Sequence, residues 1–185
     1  MKSIWIDDEI TYDGTQLSSH WIHAKCGVLG DSIACFMGPA DVPLEKMVDL
    51  VDVAQRSPIY SKRMLHFIIE HFDADLALTI ARQRLLTAIS ADELRARTKG
   101  AAIERRGDDI YEGDLKISVS IATASPVSCL IHFAMNVESV GTPVPTRGLA
   151  DYGIEPKPLA DAIVRQYCEE IASMSLARCK VRAVK

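Results

Sequence analysis

The chain has 185 residues, of which 48% are hydrophobic, 25% charged and 6% aromatic, a composition typical of soluble globular domains. At this length we expect one domain spanning residues 1–185, with a core that needs no disulfide or structural metal. The formal net charge of -4 excludes a global positive field that would hold a nucleic-acid backbone.

The first part of the chain is predicted to alternate strands with helices. The pattern indicates a strand over 3–6, a helix over 15–25, a strand over 31–37 that stops at Gly38-Pro39, and a strand over 64–72. Residues 47–53 fit a strand as well as a helix. In the strand 64–72, alternation places Leu65, Phe67 and Ile69 on one face. His66, Ile68 and Glu70 then share the other face, which we take as the functional one.

The second part is predicted to contain two helices, several short strands and a terminal helix. Residues 75–88 have helical apolar spacing, and the capping-box pattern at 90–93 predicts that a separate helix begins at Ser90 and ends before Gly100. Short strands follow between 101 and 137, and residues 159–178 form a long amphipathic helix. This order predicts an α+β fold with a mainly antiparallel sheet flanked by helices.

Cysteine usage and hydropathy indicate a cytoplasmic protein. The five cysteines are odd in number and include no C-x-x-C pair, which fits neither a disulfide framework nor a thiolate zinc site. The first residues lack the apolar segment of a signal peptide, and no apolar run reaches 18 residues. We therefore expect no membrane insertion.

Three motifs in the second part of the chain occur in a characteristic order. Asp108-Asp109 is followed by Lys116 in a strand, and then by a strand that contains His132 and ends in Asn136-Val137. This order resembles the catalytic core of the biotin and lipoate protein ligases. The whole chain also resembles a prokaryotic domain-of-unknown-function family, number 366, which is grouped by fold with the class II aminoacyl-tRNA synthetases and biotin synthetases.

The resemblance implies an adenylate site on one face of the sheet. It implies a carboxylate-containing small molecule or its adenylate as ligand, ATP and Mg²⁺ as cofactors, and ligase or acyl transferase activity. Lys116 would be the catalytic residue that neutralises a carboxylate or α-phosphate. Asp109, and with it Asp108, would bind magnesium, although strand alternation sends the two side chains to opposite faces. The remaining predicted pocket residues are His66, Glu70, Arg106, His132 and Asn136.

Other functions are compatible with the same residues. Segment 49–61 contains no glycine where the ligases have a Gly-rich loop, and Val119 replaces a family glycine. A module that retains the fold without the chemistry and binds a protein or RNA partner is therefore the main alternative. A third alternative is a metal-dependent hydrolase site formed by His66, Glu70 and His132. Exposed sheet edges are compatible with a homodimer.

Overall fold

The computed structural model describes residues 1–57 and 59–184. In chain order its elements are β1 (Lys2–Trp5), α1 (Trp21–Cys26), β2 (Ser32–Val42), a 3-10 turn (Leu44–Lys46), α2 (Leu50–Gln55), β3 (Ile59–His71), α3 (Leu76–Arg97), β4 (Ile103–Arg106), β5 (Asp109–Glu112), β6 (Leu115–Lys116), β7 (Ser118–Ala124), β8 (Cys129–Asn136), a second 3-10 turn (Leu149–Tyr152) and α4 (Pro156–Lys180). No helix among these is long and apolar enough to cross a membrane.

The strands form two sheets. The larger one has the order β1-β2-β3-β8-β7, in which β1 pairs parallel with β2 and every other pair is antiparallel. The smaller one has the order β4-β5-β6. The predicted α+β fold with a mainly antiparallel sheet flanked by helices is therefore confirmed.

The main core lies between one face of the larger sheet and the two long helices. It joins buried sheet residues to residues of α3 and α4, among them Ile33, Leu65, Phe67, Phe133, Leu86, Leu94, Ile163 and Tyr167. Each such side chain contributes roughly 1.5–3 kcal/mol of stability when fully buried. The alternation predicted for β3 is correct, since Leu65, Phe67 and Ile69 all face these helices.

Three predicted element boundaries are wrong. The strand predicted over 64–72 begins earlier, at Ile59. The strand predicted to stop at Gly38-Pro39 continues to Val42, because residues 10–12 run alongside it and pair with its backbone. A side chain at position 38 would lie 1.9 Å from the Ile10 carbonyl oxygen, so this approach requires glycine. The helix predicted from residue 15 begins only at Trp21, since turns organised by Asp13 and Gln16 occupy residues 14–20.

The two helices predicted over 75–100 are one helix, α3. Ser90 is fully buried within it and therefore does not act as the N-cap of a new helix. The apolar spacing that places Leu86, Ile89 and Leu94 in the core continues through this position. Because no glycine or proline interrupts residues 76–97, the helix does not end at the capping-box pattern.

A β-bulge interrupts the pairing of β2 with β3. The register runs from Gly38 opposite Met64 to Ala40 opposite Ser61, so β3 contributes one more residue than β2 over this interval. An extra residue reverses the alternation of the strand. The bulge lies on the edge of the cavity described next.

Candidate functional site

A cavity of about 320 Å³ lies on the face of the larger sheet opposite α3 and α4. This volume is at the lower end of the range for small-molecule sites. Its apolar walls come mainly from Tyr12, Val42, Met47, Ile59, Met64, Val119, Ile121 and Val144. Its polar lining includes Lys46, Asp49, Asp52, Ser61, Asp108, Asp109, Lys116, Asn136 and Thr146.

Lys116 and Asp109 form an ion pair in the wall of this cavity. The Nζ atom of Lys116 lies 2.7 Å from Oδ2 of Asp109, across the pairing of β5 with β6. Burial raises the pKa of Asp109 to about 6, although the Lys116 charge opposes this shift. Burial alone would lower the pKa of Lys116, but the Asp109 carboxylate outweighs it and the net shift is upward. The ammonium therefore remains charged at neutral pH.

Asp108 also lines the cavity, which corrects the expectation that Asp108 and Asp109 point to opposite sides. Asp108 belongs to the turn before β5, so strand alternation does not apply to it. Its carboxylate lies 3.0 Å from Nη1 of Arg84 and accepts a hydrogen bond from Gln83. Both aspartates are therefore already paired with neighbouring side chains.

Asn136 ends β8 on the cavity wall and is almost fully buried. Its side-chain amide donates to the carbonyl of Ile117, and its backbone N–H donates to the same oxygen at 2.9 Å. The backbone of Lys116 is also hydrogen-bonded to the loop that follows β8. Its N–H donates to the carbonyl of Pro145, and its carbonyl accepts from the N–H of Arg147. These contacts fix the backbone that carries Lys116.

His66 and His132 form a buried pair beneath the cavity and do not line it. Nε2 of His66 lies 3.1 Å from the Gly38 carbonyl, which only accepts, so this nitrogen donates. Nδ1 of His66 then accepts from Nε2 of His132 at 3.1 Å. Burial lowers the pKa of His66 to about 4 and holds the pKa of His132 well below its usual value. The pair is therefore neutral, and Tyr12, which stacks on His132, lines the cavity instead.

The structure does not bring Glu70 and Arg106 to the cavity. Both carboxylate oxygens of Glu70 accept the backbone N–H of His20, and one also accepts the Ser128 hydroxyl. Arg106 pairs with Glu104 and lies over the ring of Tyr111. The described residues contain no cluster of three His, Cys, Asp or Glu side chains that could hold a metal. A hydrolase site formed by His66, Glu70 and His132 is therefore contradicted.

Several cavity residues were missed by sequence reasoning. Tyr12 lies in a loop whose path along β2 has no signature in the sequence. Ser61 reaches the cavity only because of the β-bulge. Asp52 belongs to the glycine-free segment 49–61, which replaces the Gly-rich loop of the ligases, and together with Lys46 just before this segment it forms part of one wall of the cavity.

The cavity residues do not fit ATP with magnesium. Four aspartates line the cavity against two lysines, and each lysine is already paired with an aspartate. The wall over residues 44–55 consists of a 3-10 turn and α2 and has no glycine to form a backbone cradle. The free N–H groups at the start of α2 are occupied by the Asp49 carboxylate, which accepts from Val51 and Asp52.

Comparison with known proteins decides the family. The model of the domain of unknown function DUF366 matches residues 1–182. The chain belongs to the DUF366 family. An uncharacterized protein of Methanocaldococcus jannaschii is 35% identical over 181 residues, which cover 92% of this chain and 80% of that protein. A solved structure of a protein of unknown function from Pyrococcus horikoshi has 39% identity to this DUF366 chain and a TM-score of 0.93, and covers 100% of this chain and 99% of its own.

More distant structures share the fold of this DUF366 chain. A mutant biotin protein ligase from Aquifex aeolicus in complex with biotin has a TM-score of 0.62 at 14% identity, over 93% of this chain and 70% of that one. A bi-partite lipoate protein ligase from Thermoplasma acidophilum has a TM-score of 0.59 at 13% identity, over 92% of this chain and 83% of that one. The biotin/lipoate ligase-like fold expected from the motifs is therefore confirmed.

Proposed function

We propose that this protein binds a small carboxylic acid, or the acyl group derived from it, with the carboxyl end at Lys116. The observation that carries the proposal is a partly buried ammonium at one side of a small cavity that also has apolar walls. Asp109 occupies one of the three Lys116 N–H donors and leaves two for a ligand. The apolar side chains Val42, Met64 and Val119 would then contact the ligand's hydrocarbon part.

The fold neighbours support this ligand class. The Aquifex aeolicus ligase was solved with biotin, and a Thermoplasma acidophilum neighbour was solved with lipoic acid. Both compounds are small carboxylic acids. In an acyl-transfer reaction, Lys116 is the group that would stabilise negative charge on the acyl oxygen.

The test is calorimetric titration of the purified protein with octanoate, lipoate and biotin. We expect saturable binding of at least one acid by the wild type. Lys116→Ala should weaken that binding about 10- to 100-fold, because a hydrogen bond to a charged group contributes roughly 1.5–3 kcal/mol. Lys46→Ala is the matched control, since Lys46 lines the same cavity but its partner Asp13 stays ionised, because the hydrogen bond from Lys46 lowers the pKa of that carboxyl. Equal binding by wild type and Lys116→Ala would contradict the proposal.

Protein binding without chemistry is the second candidate function. It is favoured by the exposed apolar side chains of α2, where Leu50 is 79% and Val51 62% exposed beside the cavity. A wild-type protein that binds none of the acids, with or without ATP and magnesium, would favour this candidate over the first.

A further inference from the structure

Ser61 is a buried polar residue whose hydroxyl has no partner. It lines the cavity and is 2% exposed, and its Oγ atom makes no hydrogen bond to any described residue. Leaving a buried hydroxyl unpaired is unfavourable, because it loses its hydrogen bonds to water and gains none in the protein. An unpaired hydroxyl in a cavity wall is therefore a position where a ligand group can recover this cost.

The β-bulge is the reason that Ser61 faces the cavity. In a regular strand Ser61 would share the face of Leu65, four residues later, and would point toward α3 and α4. The extra residue of β3 reverses this, so that Ser61 pairs with Ala40, which clusters with Met64 on the cavity face. The backbone carbonyl of Arg63, which lies in the bulge, accepts a hydrogen bond from the N–H of Val137 at 2.9 Å. Bulges that re-aim a side chain in this way are frequent next to binding sites.

Ser61 and Lys116 lie on opposite sides of β8. Lys116 ends β6, two residues before β7 begins, and β7 lies two strands from β3, a distance of about 10 Å across the sheet. Met64 and Val119 line the cavity beside them, and Asn136 lies on β8 between the two strands. A ligand that contacts both polar residues therefore carries two polar groups joined by a hydrocarbon segment.

We propose that Ser61 determines specificity by binding a hydroxyl or amide group carried on the otherwise apolar chain of the acid. The preferred ligand is then an acid with a polar-substituted chain and not a plain fatty acid. The proposal rests on the proposed function for the position of the carboxyl end. It concerns the opposite side of the same cavity, where Ser61 would contact the chain of the acid.

Matched pairs of acids test this proposal. The wild type is titrated with hexanoate, octanoate and decanoate and with the corresponding ω-hydroxy acids. We expect at least one hydroxy acid to bind roughly three- to tenfold more tightly than its plain partner, the gain of one neutral hydrogen bond. In Ser61→Ala this preference should fall to within about twofold, while the plain acid binds at least as well as before.

Ser90→Ala is the control variant. The Ser90 hydroxyl is also buried and unpaired, but it lies in α3 away from the cavity. This variant should keep the wild-type preference, and thermal melting should show that both variants fold. Lys116-dependent acid binding without a preference for hydroxy acids, or a preference that persists in Ser61→Ala, overturns the Ser61 proposal alone. Failure of the wild type to bind any acid overturns the proposed function and this proposal with it.

Discussion

At the scale of single residues, the charge state of Asp109 governs what Lys116 can bind. Burial raises the pKa of this carboxyl to about 6, so it is largely ionised at neutral pH and faces any incoming carboxylate. Asp108 from the same turn and Asp52 from the wall opposite add negative charge, whereas Lys116 is the positive partner. A protonated Asp109 leaves the Lys116 charge uncompensated and available for an anionic ligand.

The first prediction is that acid affinity rises as the pH falls from about 8 to about 6. The protonated fraction of Asp109 increases over this interval, while a ligand carboxylate with an ordinary pKa stays ionised. The rise is limited to about tenfold per pH unit for a single group. Asp109→Asn, which mimics the neutral form, should bind tightly throughout and remove the dependence.

Asp108→Asn is the control for this prediction, because Asp108 pairs with Arg84 and not with Lys116. It should retain the pH dependence, displaced to lower pH because the Asp108 charge contributes to raising the pKa of Asp109. Calorimetric titration at several pH values measures both variants. An unchanged slope in Asp109→Asn would show that Asp109 is not the titrating group.

At the same scale, four residues of the motif order lie together in the structure. Asp108, Asp109, Lys116 and Asn136 all line one cavity, because β5, β6 and β8 meet there. The functional face inferred for β3 was only partly informative. His66 and His132 share that face but use their polar atoms on each other and on Gly38. Sequence spacing gives the face of a strand but not whether a second layer of residues covers it.

At the scale of elements, the loop that follows β1 decides how the cavity is covered. Residues 10–12 pair with β2 and place Tyr12 over His132. This approach depends on the missing side chain of Gly38, whose carbonyl also accepts from His66. The two functions of Gly38 explain why a Gly-Pro pair lies inside a strand and does not terminate it.

The second prediction is that Gly38→Ala destabilises the fold by about 2 kcal/mol or more, because the added methyl overlaps the Ile10 carbonyl. Urea unfolding at neutral pH measures the change in the free energy of unfolding. Gly27→Ala is the control, since no atom lies within 4 Å of its new methyl and only its positive φ is strained. That strain costs about 1–2 kcal/mol. A Gly38→Ala protein as stable as the wild type would refute the close approach.

The bulge in β3 and the continuity of α3 are two features that the sequence patterns did not predict. Alternation correctly gave both faces of β3 from Met64 onward, but a bulge has no sequence signal here, so Ser61 was not recognised. The capping-box pattern at Ser90 was misleading because Ser90 is buried in the interior of a continuous helix and has no helix end to cap. Local patterns predict elements well only where tertiary packing does not compete with them.

At the scale of the whole molecule, buried histidines couple stability to pH. His66, His71 and His132 are almost fully buried, and burial lowers the pKa of each. In the unfolded chain these groups take up protons near pH 6.5, whereas the folded protein excludes them. Their contribution to stability is therefore complete above about pH 6.5 and is lost as the pH falls.

The third prediction is that the free energy of unfolding decreases between about pH 7 and pH 5. With a folded pKa of about 4, His66 alone accounts for a loss of about 2 kcal/mol at pH 5. Asp109 acts in the opposite direction, because its raised pKa favours the folded state as the pH falls through about 6. The stability lost through the three histidines is larger than the stability gained through Asp109, so the free energy of unfolding decreases. Urea unfolding at both pH values checks it, and equal or greater stability at pH 5 would contradict it.

The protein has a second cavity, so the location of the ligand has to be determined directly. It has a volume of about 350 Å³ and lies between β1 and α4, where Trp5, Cys35, Arg165 and Cys168 line it. It is as large as the cavity at Lys116 but contains none of the residues predicted from the motif order. Binding alone therefore does not identify the site.

The most direct measurement is a crystal structure of the complex with the acid that binds most tightly. We expect the carboxyl group within hydrogen-bond distance of Nζ of Lys116, with the hydrocarbon chain along Met64 and Val119 toward Ser61. An acid bound between β1 and α4, or one whose carboxyl group points away from Lys116, would contradict the proposed function.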